Sequence, residues 1–196
     1  MKTILKNFFA KIIGAYLRSQ FRWLAKESPI NIVEHLARAK KVLIYMPNKI
    51  EHFGAALKSL EKLRAKRPDW QITVVTKLEL VSFIHDGLRV DILPYSDEDI
   101  NLFGLPKWSL KKHFRNAAYD LALDFLFHFE LLSMKLLQLS MAPVRVCFDS
   151  SEKSWFYNFG IRVNPVEPLA NKYNVMVKYI TVISDSHLQS ASPQLK

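Results

Sequence analysis

The sequence predicts an α/β fold, a Rossmann-like parallel sheet with helices on both faces, preceded by an amphipathic N-terminal helix. Short apolar or β-branched runs alternate along the chain with segments that carry leucines at helical spacing. Such alternation implies parallel strands joined by covering helices. With 196 residues, of which 49% are hydrophobic and 23% charged, the chain has the size and composition of one folded domain with an extra arm.

The predicted arm, residues 1–27, carries most of the positive charge. Six Lys and Arg precede the first acid, Glu27, and supply more than half of the net charge of +10. Apolar residues, several of them Phe, recur there at the spacing of one helical face. This composition is typical of a helix held in a membrane interface by anionic lipid. A helix packed on the domain, or on a second copy of it, has a similar pattern, so both alternatives stay open.

A secretory signal is a poorer explanation of the arm, because Lys11 interrupts its apolar stretch and no small-residue cleavage site follows. Charged residues also interrupt the apolar region 121–139, so no membrane-spanning helix is expected there. We therefore expect a cytoplasmic protein, with peripheral attachment to the inner membrane through residues 1–26 if the membrane alternative holds.

The domain proper is predicted at residues 28–184 and opens with a βαβ unit. An N-cap followed by proline at Ser28-Pro29 predicts a helix through Ala39. The apolar run at 41–46 (KVLIYM) is typical of a buried parallel strand. A helix is expected at 50–66, and the β-branched run at 71–76 (QITVVT) predicts the next strand.

The alternation continues through the rest of the domain. Further strands are predicted at 89–95, 119–125 and 144–148. Helices are predicted at 77–84, around 107–117, at 130–141 and at about 166–183. Residues 185–196 are expected to form a polar tail.

Two stretches of this domain carry the pattern of a known family. The first is residues 41–76, a strand, a turn, a helix with spaced leucines, a basic residue, Pro-Asp and a valine-rich strand. The second is YDLALD at 119–124, followed by a helix, APVRVCF at 142–148 and the helix at 173–183. Together they resemble the acceptor half of glycosyltransferase family 9, the heptosyltransferases of lipopolysaccharide core synthesis. The resemblance implies a single GT-B-type N-terminal domain linked to lipopolysaccharide or surface-glycan synthesis, with a glycolipid acceptor.

The resemblance also implies a catalytic pair. In the family, a Gly-Asp pair follows the first strand, and its aspartate is the proposed base that activates the acceptor hydroxyl. The aligned residues here are Glu51 and His52. Histidine titrates near neutral pH and suits a general base, with Glu51 as a nearby carboxylate. Asn48 stands where the family has a glycine, and Lys49 lies in the same turn, so both are candidate substrate-binding residues.

Two more candidate substrate-binding residues lie later in the chain. Asp124 ends a predicted strand, which is where α/β folds place ligands, although the same position can cap the following helix. Ser133 matches a serine of the family and lies within a predicted helix.

Several kinds of site are not expected. The six histidines are scattered and Cys147 is the only cysteine, so the sequence predicts no metal site and no internal disulfide. Five glycines are few for a glycine-rich phosphate cradle, and no cofactor is expected. No nucleic-acid-binding motif is present.

The length of the chain bears on its function. In the resembled family, a second half holds the nucleotide-sugar donor, and the 13 residues after Ile183 are too few to form one. The sequence therefore predicts either a transferase whose donor half comes from a separate chain, or a catalytically inactive scaffold that binds a membrane or a partner. The predicted protein partner is a donor-domain protein or, alternatively, a second copy in a homo-oligomer.

Overall fold

The computed structural model describes Ala15, residues 30–115 and residues 117–190, with the side chains of the last helix described as far as Asp185. The predicted arm, apart from Ala15, lies outside the described residues. The same holds for Ser28-Pro29 and for the chain after residue 190.

One parallel sheet of six strands forms the centre of the described chain. The strands are β1 (Lys41–Tyr45), β2 (Gln71–Lys77), β3 (Asp91–Tyr95), β4 (Leu121–Asp124), β5 (Val144–Phe148) and β6 (Phe159–Ile161). Their spatial order is β3-β2-β1-β4-β5-β6, and each neighbouring pair is parallel. The chain runs outward from β1 to β3 and then returns to the other side of β1 at β4. The strand order therefore reverses between β1 and β4, the point at which doubly wound sheets bind ligands.

Five α-helices surround the sheet in the described residues. They are α1 (Ile32–Arg38), α2 (Ile50–Lys66), α3 (Trp108–Lys111), α4 (Leu131–Ser140) and α5 (Leu169–Ser190). Helix α1 begins at Ile32 rather than at the predicted proline, because Asn31 caps it by accepting a hydrogen bond from the backbone N–H of Glu34 at 3.3 Å.

Both faces of the sheet are covered, as the sequence predicted. Along β1, alternate residues belong to different cores: Val42 and Ile44 join the core that includes residues of α1, α2 and α5, whereas Leu43 and Tyr45 join the core that includes residues of α3 and α4. This alternation is the period of two expected of a strand buried on both faces. The predicted Rossmann-like sheet is therefore confirmed.

Apart from the start of α1, the structure differs from the predicted elements in four further places. Residues 78–83 form a 3₁₀ helix, and the predicted helix around 107–117 consists of α3 followed by a 3₁₀ turn at 112–114. Among the described residues of that segment, only Leu110 and Phe114 are buried, which is too little apolar surface to hold a longer helix. Helix α5 continues to Ser190, beyond the predicted end at Ile183. Strand β6 was not predicted.

The two edges of the sheet are short or interrupted. Strand β3 forms one edge and contains Pro94, which is exposed and has no backbone N–H. Strand β6 forms the other edge and is only three residues long, with Gly160 at its centre. Within the described residues, no helix has both the length and the hydrophobicity needed to cross a bilayer.

Candidate functional site

A cavity of about 350 Å³ lies where the strand order reverses. One wall is formed by residues 47–49, which follow β1, and by His52 in the first turn of α2. The other wall is the loop at 126–130, which follows β4. Parallel strands bring their carboxyl ends to the same edge, so these two loops meet there although about 80 residues separate them in the sequence. Three of the six predicted site residues line this cavity: Asn48, Lys49 and His52.

His52 is held in a partly buried position by aromatic side chains. Its Nδ1 lies 3.4 Å from the hydroxyl oxygen of Tyr173 on α5, and its ring meets the ring of Phe127 edge-on at 5.7 Å between centroids. Burial, followed by the positive charge of Lys49, lowers the pKa of His52 below its usual 6.5, against the opposing charge of Glu51. The N-terminal end of α2 also disfavours a positive charge. The imidazole is therefore neutral at pH 7 and able to accept a proton.

Asn48 is connected to the sheet by two buried tyrosines. Tyr95, at the end of β3, donates a hydrogen bond to Oδ1 of Asn48 at 2.8 Å, and its hydroxyl also lies 2.8 Å from that of Tyr45 at the end of β1. Burial raises the pKa of both phenols above their usual value, so both keep their protons at neutral pH. The predicted substrate-binding amide is thus fixed by the carboxyl ends of two strands.

Glu130 is a residue of this cavity that the sequence did not single out. It is the last residue before α4, it lines the cavity, and its Oε2 atom is buried without a hydrogen-bond partner. Burial, and then the negative charge of Asp124, raises the pKa of Glu130 to about 7. A carboxyl group that titrates near neutral pH in a cleft is suited to proton transfer or to donating a hydrogen bond. Its position just after a predicted buried strand was the available signal.

Asp124 is the last residue of β4, just before the loop that lines the cavity, and it is fully buried. Its carboxylate accepts hydrogen bonds from Lys153 Nζ at 3.0 Å, from the backbone N–H of Leu126 at 2.9 Å, and from the hydroxyl of Tyr157. Lys153, which is also fully buried, in turn donates to the carbonyl of Leu126. The Asp124 carboxylate therefore holds the loop that lines the cavity, and it does not itself line the cavity.

Glu51 and Ser133, the other two predicted site residues, do not line the cavity either. Glu51 is exposed on α2. Consecutive residues of a helix point in directions about 100° apart, so Glu51 points away from the cavity that its neighbour His52 lines. Ser133 is buried in α4, where its hydroxyl donates to the backbone carbonyl of Glu130 at 3.0 Å. Their roles at a substrate remain predictions.

Aromatic side chains pack together beside His52, and one of them, Phe127, lines the cavity. Phe127 stacks on Phe148 with 4.2 Å between ring centroids, and Phe148 meets Tyr173 edge-on at 5.5 Å. These rings exclude water from one side of His52 and so account for the burial that lowers its pKa. In the residues that the structure describes, no group of three or more His, Cys, Asp or Glu side chains is arranged to hold a metal ion.

Comparison with known proteins identifies the fold. No protein-family model matches the chain, and no curated protein does. Among solved structures, Escherichia coli heptosyltransferase WaaC with ADP-2-deoxy-2-fluoro heptose matches 79% of this chain and 55% of its own, with 14% identity and a TM-score of 0.53. The E. coli ADP-heptose lipopolysaccharide heptosyltransferase II matches 70% of this chain and 40% of its own, with 17% identity and a TM-score of 0.53.

A third match is the glycosyltransferase of family 9 from Veillonella parvula, which covers 75% of this chain and 42% of its own, with 14% identity and a TM-score of 0.54. The chain thus spans between 40% and 55% of the length of these three structures. At such identities the likeness concerns the fold. The chain therefore has the α/β, GT-B-like fold seen in the heptosyltransferases and in glycosyltransferase family 9, the family that its sequence resembles.

Proposed function

We propose that this chain binds the acceptor during glycosyl transfer to lipopolysaccharide or a related surface glycan, and that His52 is the general base. The cavity at the reversal of strand order carries this proposal, because it places a neutral imidazole beside Asn48 and Lys49. The fold supports it, since structures with the same fold include heptosyltransferases, one of them solved with an ADP-heptose analogue.

The chemistry assigned to His52 is a single proton transfer. As the acceptor hydroxyl attacks the anomeric carbon of the donor sugar, its proton passes to the free ring nitrogen of His52, Nε2. The new glycosidic C–O bond forms while the bond from the anomeric carbon to the diphosphate breaks, and the nucleoside diphosphate leaves with the electron pair. Tyr173 contacts the other ring nitrogen, Nδ1, and holds the ring in place. The nucleotide sugar is bound outside the residues that the structure describes.

Acceptor binding is the first test. We expect the ring signals of His52 in a histidine-labelled sample to shift when micelles of short-core lipopolysaccharide are added, and to stay unchanged with phosphatidylglycerol micelles. His52→Ala should weaken binding by about tenfold, the equivalent of one hydrogen bond. The matched control is His85→Ala, because His85 is exposed and pairs with Glu61 outside the cavity. Equal affinity for both micelles, or equal loss in both variants, would contradict acceptor binding here.

Catalysis is tested by adding ADP-heptose and a protein that binds it, and by following release of ADP. His52→Ala should reduce release by about 10²–10⁴-fold, the usual contribution of a general base. Because the pKa of His52 is lowered, release should persist as the pH falls to 6.5 and should decline only below that value. Release that survives His52→Ala would show that His52 is not the base.

A binding module without catalytic activity is the second candidate. It is favoured by the location of Glu51, Asp124 and Ser133, three predicted site residues that do not line the cavity. This candidate predicts binding of short-core lipopolysaccharide with no ADP release in the presence of any donor-binding protein.

For residues 1–26, we propose attachment to an anionic membrane surface at the cytoplasmic face of the inner membrane. Binding to vesicles should rise with their phosphatidylglycerol content. It should fall with added salt, because the Debye length shrinks from about 10 Å at 0.1 M to about 3 Å at 1 M. A truncated chain beginning at Glu27 is the control, and equal binding by that chain in a sedimentation assay would favour the alternative, packing against protein.

A further inference from the structure

A turn between β3 and α3 holds an apolar side chain in solvent. The ends of this turn, residues 100–106, pair through one antiparallel bridge. Within it, Oδ1 of Asn101 accepts hydrogen bonds from the backbone N–H groups of Phe103 and Leu105, both at 3.0 Å. Leu102, between them and Asn101, is 90% exposed. The backbone of the turn is therefore fixed by hydrogen bonds while its leucine faces solvent.

Exposed aromatic rings and positive charges follow this leucine along the chain. Trp108, the first residue of α3, is 62% exposed, and the guanidinium carbon of Arg115 lies 5.4 Å from the centre of its ring. Six exposed residues make up what we call the 102–115 surface: Leu102, Phe103, Lys107, Trp108, Lys112 and Arg115. Large apolar side chains that are exposed together commonly mark an interaction site.

The 102–115 surface lies in a segment of positive charge. Residues 100–119 contain four Lys and Arg and no Asp or Glu. Two of the three acids just before this segment have partners within the fold. Asp97 lies 3.5 Å from Nζ of Lys77, and Asp99 accepts a hydrogen bond from the hydroxyl of Ser109 at 2.6 Å. The exposed cations therefore favour a partner that carries negative charge.

We propose that the 102–115 surface contacts an anionic bilayer. Tryptophan suits the boundary between headgroups and acyl chains, and lysine and arginine beside it suit the phosphates of anionic lipid. In this contact Leu102 and Trp108 enter the headgroup region, and the cations lie above them. A protein partner fits less well, because lysine is depleted in the cores of protein interfaces. The contact is distinct from the one proposed for residues 1–26.

The 102–115 surface is connected to the edge of the sheet that holds the cavity. The turn follows the carboxyl end of β3, and parallel strands bring their carboxyl ends to one edge. At Gly104, a Cβ atom would lie 4.0 Å from Cδ2 of Leu131, the residue after Glu130 in the cavity wall. A bilayer on this surface would therefore lie near the cavity. That it supplies a lipid-linked acceptor rests on the proposed function, but the contact itself does not.

Fluorescence of Trp108 tests the contact in the full-length chain. Trp23→Phe/Trp155→Phe leaves Trp108 and Trp70, and Trp70 is buried. Phosphatidylglycerol vesicles with brominated acyl chains should quench the emission of Trp108 and shift it to shorter wavelength. Added salt should weaken this effect, because it screens the charges. Unquenched Trp108 in a chain that sediments with the vesicles would overturn the proposal, since that binding would come from elsewhere, such as residues 1–26.

A double variant measures the contribution of the 102–115 surface to binding. In the full-length chain, Trp108→Ala/Lys112→Ala should weaken vesicle binding by about tenfold or more, because it removes an interfacial ring and one charge. Both side chains are exposed, so the fold should be kept, as circular dichroism can verify. The matched control is Lys178→Ala/Tyr179→Ala, which removes an exposed lysine and an exposed ring from α5. It should change binding by less than about twofold.

Two further results would overturn the membrane contact. One is an equal change of vesicle binding in the two double variants. The other is emission of Trp108 that responds to single-stranded RNA and not to vesicles, which would identify a nucleic-acid surface. Neither result bears on acceptor binding, which is judged by the ring signals of His52 in the lipopolysaccharide titration, so failure of one proposal is distinguishable from failure of the other.

Discussion

Lys153→Met should destabilise the protein by about 3–5 kcal/mol, the cost of leaving one partner of a buried ion pair without its counter-charge. Lys153 and Asp124 are both fully buried, with 3.0 Å between Nζ and the carboxylate oxygen Oδ2. Methionine fills a similar volume, so the expected loss is electrostatic rather than a cavity effect. The carbonyl of Leu126 also loses its donor, so the loop along the cavity should loosen. Urea unfolding monitored by circular dichroism measures the loss.

The double variant Asp124→Asn/Lys153→Met is the control. An asparagine oxygen at the Oδ1 position can still accept from the N–H of Leu126, its NH₂ group can donate to the hydroxyl oxygen of Tyr157, and no buried charge remains. We expect most of the lost stability to return, because replacing both partners of a buried pair is often neutral. A loss below about 1 kcal/mol in Lys153→Met alone would show that the pair is not important for stability.

Phe148→Ala should cost about 3–5 kcal/mol, the range found when a buried aromatic ring is removed from a core. Phe148 is buried at the end of β5 and lies between Phe127 and Tyr173, which both contact His52. The cavity left behind should also admit water beside the imidazole. The pKa of His52 should therefore move back up toward its ordinary value, which NMR titration of the histidine ring can detect.

Val182→Ala is the matched control for the effect on stability. Val182 lies on α5 and is 56% exposed, so its loss should change the free energy of unfolding by no more than about 0.5 kcal/mol. Similar losses of stability in both variants would mean that the rings of Phe127, Phe148 and Tyr173 do not form a packed core. An unchanged pKa of His52 in Phe148→Ala would mean that the rings do not keep water from it.

The sequence predicted those elements that a local pattern determines. Helix α2 and strand β5 have the bounds expected from leucine spacing and from a short apolar run. Strand β6 could not be predicted in the same way, because its three residues include Gly160 and owe their extended form to pairing with β5. The start of α1 was also misplaced, because Ser28 and Asn31 are both residue types that favour the N-cap position and the helix begins after Asn31.

The part of the site whose residues lie close together in the sequence could be predicted. Asn48, Lys49 and His52 are close in sequence and line the same cavity. Asp124 is different, because the burial of its carboxylate depends on Lys153, 29 residues away, and no periodicity reveals such a pair. Glu130 was missed for a related reason: its pKa near 7 comes from burial and from Asp124, neither of which a sequence displays.

The edges of the sheet determine how copies of this chain can meet. An edge strand with free N–H and C=O groups can recruit a strand from another molecule. In the described residues, Pro94 removes a donor from β3, and β6 provides only three residues to pair with. Continuous sheets across a dimer, and fibre-like growth from the native state, are therefore disfavoured at both ends. If the chain forms the predicted homo-oligomer, its contacts should be made by helices and loops, and the oligomer should form without a gain in β-structure.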